Sequence, residues 1–89
     1  MTMSHGMNVE DVRRMGAQLQ TEAGNIQTLM GTIEGLITNA AWVGPDAEAF
    51  KGSEWPTIKA ALNNASDQLQ TFGAKALQNA QAQETTSAG

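Results

Sequence analysis

The sequence predicts an all-α protein: an antiparallel helical hairpin that dimerises into an elongated four-helix bundle. Three observations predict it. Apolar residues recur at alternating spacings of four and three on both flanks of the 89-residue chain, the signature of one helical face. Trp42-Val43-Gly44-Pro45 interrupts that pattern near the middle, where a proline can neither continue a helix nor donate a backbone bond. Finally, 89 residues make one small domain, which buries a modest fraction of its surface and gains from a partner.

The first helix is expected over about 9–40. Asn8 is a good N-cap, Asp11 makes a near capping box, and Met7 with Val12 occupies the positions of a hydrophobic staple. Glu10 and Asp11 place negative charge at the positive end of the macrodipole. Two seven-residue series then run in step, Val12, Leu19, Ile26, Ile33, Ala40 and Val9, Gly16, Ala23, Met30, Ile37, with Leu29 and Leu36 widening the stripe. Such a helix is a rod of roughly 48 Å. Gly16, Gly24, Gly31 and Gly35 each weaken it by about 1 kcal/mol relative to Ala. Gly16 and Ala23 lie on the stripe itself, where missing bulk lets another helix come close.

The turn is expected over 41–45, and the second helix over about 46–82. Gly44 as N-cap, Pro45 at N1 and Asp46 at N2 give it a favourable start. Its stripe is Ile58, Leu62, Ala65, Leu69, Phe72 and Ala76, with Trp55 extending it toward the turn. Pro56 removes the bond to the Gly52 carbonyl, so a kink is expected near 56, or a restart near Ser53. Residues 1–7 read as a flexible segment and 84–89 as a disordered tail, because neither carries a periodic pattern.

A hairpin leaves one side of each stripe wet, and pairing two hairpins covers it. The seam residues are Val12, Leu19, Ile26, Met30, Ile33 and Ile37 on one helix, and Ile58, Leu62, Leu69 and Phe72 on the other. Phe50 and Trp55 are expected to fill the turn end of the bundle, and Trp42 to cap it as a buried ring.

Composition excludes several functions. The net charge is -4 and the pI about 4.6. The five cations are scattered, which argues against nucleic acid as a partner. Without Cys there is no disulfide or thiolate chemistry. No ordinary signal peptide precedes Asn8, and no stretch is apolar enough for stable membrane insertion. Asp46 and Glu48 are explained by helix-dipole compensation rather than acid-base work. Met1, Met3, His5 and Met7 offer soft ligands but read as incidental. Ser53, Ser66 and Ser87 lack a histidine base. No enzyme activity, cofactor or metal is expected.

The segment Trp42-Val43-Gly44-Pro45-Asp46-Ala47-Glu48-Ala49-Phe50, followed by Trp55, resembles the WXG family of early-secreted-antigen-like proteins exported by type VII secretion systems. The likeness covers residues 7–83 and also rests on length and the two apolar periods. It implies a four-helix bundle formed as a homodimer or with a sister WXG-family protein, recognised by a secretion ATPase, and secreted without a signal peptide after folding in the cytoplasm. The family's turn is structural and contributes to export recognition, roles that would fall here on Trp42 and Gly44. The family's usual export signal, a Tyr followed four residues later by Asp or Glu, is missing, since the chain has no Tyr. Two other classes compete: a cytosolic helical adaptor or chaperone-like module using the same seam, and a membrane-active hairpin, which few cations would assist.

Overall fold

Asn8 caps the first helix. The computed structural model describes residues 8–88, with side chains through 85. The Asn8 side chain accepts the Asp11 N–H at 3.0 Å, and its carbonyl accepts the Val12 N–H at 3.0 Å, so two first-turn donors are satisfied. Helix α1 then runs Val9–Asn39. The expected staple through Met7, the soft ligands at 1–7 and the tail residue Gly89 lie outside the described residues.

After α1, Ala40 takes an extended backbone and the chain reverses. Gly44 has φ 114° and ψ 177°, a region essentially reserved for glycine. A Cβ placed there would meet nothing within 4 Å. Its glycine is therefore set by backbone conformation and not by close approach. Pro45 occupies the first turn of α2, Pro45–Ala49, where its missing N–H is no loss.

A π-helical segment, Phe50–Glu54, follows α2, and α3 continues over Trp55–Ala88. The irregularity expected near Pro56, as a kink there or a restart near Ser53, takes the form of this π-helical segment, with α3 starting at Trp55. The Trp55 N–H donates to the Phe50 carbonyl, five residues back, so the ladder widens by one residue immediately before the proline. Widening absorbs the missing donor without breaking the arm. A correction concerns residues 84–88. α3 runs to Ala88, and Glu84 accepts from Arg13 at 2.7 Å, tying the tail of α3 to the start of α1.

The two long helices lie antiparallel in a rod of 65 × 18 × 17 Å; among the described residues there is no strand. Gly16 faces Gly73, Ala23 faces Ser66, and Glu34 faces Trp55. Each advance along α1 is matched by an equal retreat along α3, so one register holds throughout. Gly16, Ala23 and Met30 are the buried residues of α1. Ser66, Gly73, Ala76 and Ala80 are buried on α3.

The α3 seam is thus rotated from the stripe expected for it. Leu62, Leu69 and Ala76 do flank α1, but Ala65 is exposed, as are Ile58 and Phe72, the latter at 58%. Small side chains explain the rotation. With Ser66, Gly73 and Ala80 inward, the two backbones approach closely and gain dispersion contacts along their length. A bulky row between the helices would hold them apart.

Candidate protein-interaction surfaces

Polar cross-links define one broad face of the hairpin. Besides Arg13 to Glu84, Gln27 donates to the Asn63 side chain at 2.9 Å. Helical geometry places Arg13, Gln20, Gln27 and Glu34 in one row of α1, and Asn63, Gln70, Leu77 and Glu84 in one row of α3. Because the two bonds join these rows, the opposite flanks of the helices must share the other face.

That other face is apolar. Val12, Leu19, Ile26 and Ile33 of α1 and Leu62 and Leu69 of α3 are half-buried along the groove. Met15, Leu29 and Leu36 of α1 and Ile58 and Phe72 of α3 stand beyond them and are exposed, Leu36 at 67%. Met30 is buried in the seam and Ile37 is half-buried. The expected seam residues therefore divide by role. Some hold the hairpin together, while Ile58 and Phe72 present surface outward. Together these side chains give the hairpin one exposed apolar flank.

A single charge interrupts the apolar face. Glu22 falls in the row Met15, Glu22, Leu29, Leu36, and its carboxylate accepts from Gln18 at 2.7 Å and from Asn25 at 2.9 Å. These two amides hold its pKa below the ordinary glutamate value, the Asn25 bond contributing most.

At the turn end, Trp42 and Phe50 pair with ring centroids 5.8 Å apart and planes tilted by 47°, an attractive aromatic geometry. Trp42 is 42% exposed and Val43 90%. This corrects the expectation of a buried Trp42 capping the core: the helices end before it, leaving the ring on the outer wall of the turn. Lys51 donates to the Trp42 carbonyl at 3.2 Å and helps fix the loop. Phe50 is half-buried, whereas Trp55 is buried, at 5% exposure.

Trp55 belongs to a cluster that periodicity alone did not reveal. Its indole N–H donates to Glu34 at 2.7 Å, and Lys59 lies 3.1 Å from the same oxygen. Both partners, the indole first, hold the Glu34 pKa below its ordinary value. A buried indole needs such an acceptor; the spacing of Trp55 and Lys59, one turn apart, was the available signal.

An open groove of about 450 Å³ lies along α3, lined by Asp67, Gln68, Leu69, Thr71, Phe72 and Lys75. Among the described residues no group of three His, Cys, Asp or Glu is placed to hold a metal ion. None of the described helices is long and apolar enough to cross a membrane. Ser66, raised as a serine without a base, donates its hydroxyl to the Ala23 carbonyl at 2.9 Å in the buried seam.

No protein-family model, curated protein or solved structure matches this chain.

Proposed function

We propose that this chain is a WXG-family protein that is exported by, or acts as a partner in, a type VII secretion system, and that it works through protein–protein interaction. The observation that carries the reading is the turn. Trp42-Val43-Gly44 joins two antiparallel arms, Gly44 supplies the positive φ, and Trp42 stands exposed beside Phe50. A secretion ATPase would read this end. The apolar face would pair with a second hairpin, either another copy or a sister WXG-family protein, to complete a four-helix bundle. Because the chain contains no Tyr, the family's tyrosine-based export signal would come from the partner or be replaced by the last turns of α3.

The test is export from cells with an intact type VII system and from cells lacking its ATPase. Culture supernatant and cell fractions are compared, with a cytosolic enzyme as lysis control. Appearance of the chain outside only the intact cells, and its loss with Trp42→Ala, support the reading. Retention inside both strains, with a solution mass of two or more chains, would instead indicate a cytosolic adaptor.

A further inference from the structure

The apolar face carries information about its occupant through Glu22. Its neighbours on α1 are the uncharged amides Gln18 and Asn25. The cations are committed elsewhere: Arg13 to Glu10 and Glu84, Arg14 to Asp11, and Lys59 to Glu34. Lys51 binds the Trp42 carbonyl. Lys75 is on the outer side of α3 beside Phe72. In the antiparallel register it stands level with residue 14, roughly 12 Å along the rod from Glu22. Among the described residues no Lys or Arg therefore reaches Glu22 from either helix, and its charge stands midway along the face.

A second copy does not resolve that charge. The apolar row of α1 extends from Val12 to Leu36, so its midpoint is near residue 24. Laying a second copy over it with the rods opposed puts the two Glu22 carboxylates within about one helical turn of each other along the axis. Laying the copy with turn ends together sets Glu22 over Ala65 and Leu69 instead, where it loses water and gains no cation. Both arrangements penalise self-pairing, and a net charge of -4 on each chain adds to the penalty.

We propose that Glu22 selects the partner: the apolar face docks a helical chain, rods opposed, whose apolar stripe is interrupted by a Lys or Arg that meets Glu22, in preference to a second copy. This inference rests on the pairing surface proposed above. Like charges across an interface suppress the wrong partner, and an opposite charge in the same place favours the right one.

The Glu22→Lys variant of this same chain serves as the probe, since it presents the apolar stripe with a cation at the required place. Sedimentation equilibrium is run on the wild type, on Glu22→Lys, and on their equimolar mixture. Glu22→Gln alone tests the effect of removing the charge. A mixture of wild type with Glu48→Lys matches the change in net charge away from the face, on the short α2 at the turn. The expected result is a two-chain complex in the Glu22→Lys mixture with a dissociation constant about tenfold or more below that of the wild type alone. Glu22→Gln should self-associate more tightly than the wild type, and the Glu48→Lys mixture should not reproduce the gain. Wild-type self-association as tight as the Glu22→Lys mixture, or an equal gain with Glu48→Lys, would overturn the proposal. If no species associates, including Glu22→Gln, the pairing surface itself is wrong and the selection falls with it.

Discussion

Gly16 and Gly73 meet backbone to backbone across the hairpin: a Cβ on Gly73 would lie 2.7 Å from the Gly16 carbonyl oxygen, and one on Gly16 would lie 2.9 Å from that of Gly73. Alanine at either position should destabilise the chain by about 1–3 kcal/mol, because the clash is with backbone and outweighs the gain in helix propensity. Gly24 and Gly31 have open space around them. Alanine there should stabilise by up to about 1 kcal/mol each. Urea unfolding followed by helical circular dichroism separates the two pairs. Equal effects at all four positions would mean that the helices do not approach through this seam.

Ser66 makes the other close contact of the seam. Its hydroxyl bond to the Ala23 carbonyl is buried, so Ser66→Ala should cost about 1 kcal/mol. Ser66→Leu should cost more, since it also forces bulk into a space sized for a hydroxyl. If leucine were as stable as alanine, the helices would have to be spaced more widely than Gly16 and Gly73 indicate.

Much of this architecture is written locally. Asn8, Glu10 and Asp11 mark the start of α1, and Gly44-Pro45 marks the start of the second arm, because caps and prolines act through their own backbone groups. Face selection on α3 is different. Ile58, Leu62, Ala65, Leu69, Phe72 and Ala76 make the expected hydrophobic stripe, yet of these only Ala76 is buried, and the helix turns Ser66, Gly73 and Ala80 inward beside it. A periodicity count weighs bulk, whereas a two-helix contact rewards smallness that brings backbones together. The inward set has the same seven-residue spacing as Gly16 and Ala23, and that shared spacing was the signal. Trp42 was misplaced for a related reason: its size suggested a core, but a rod two helices wide has no core beyond the last turn. The rerouting before Pro56 depends on a bond from Trp55 to Phe50, which no pairwise spacing specifies.

Glu34 should make stability depend on pH. Its folded pKa is lowered from the ordinary 4.5, so the charged form is favoured by folding. That contribution is present above the unfolded value and is lost as pH falls through the folded value. Melting temperature should therefore drop on acidification below about 4.5, and Glu34→Gln should flatten the drop. In a Trp42→Phe background, Trp55 emission should shift to the red over the same range as its indole loses the carboxylate. Parallel pH curves for Glu34→Gln and the unsubstituted chain would assign the acid response to other carboxylates.

Gly44→Ala should cost about 1–3 kcal/mol, the strain of a side chain at φ 114° with extended ψ. Gly35→Ala, within α1 and in open space, is the matched control and should be neutral or stabilising. Thermal unfolding of the two variants checks the assignment. A tolerated alanine at Gly44 would show that the reversal does not require left-handed backbone.

Among the described residues no large side chain is fully removed from water in this slender pair of helices. Its thermal signature should be correspondingly shallow. An ordinary globular chain of this length has a heat-capacity increment on unfolding of about 1.1–1.3 kcal/mol/K, and the lone hairpin should fall well below that, melting over a broad interval with slowly varying enthalpy. Burying the greasy flank against a companion would restore the missing increment, so calorimetry alone can tell a solitary hairpin from one that has found its mate.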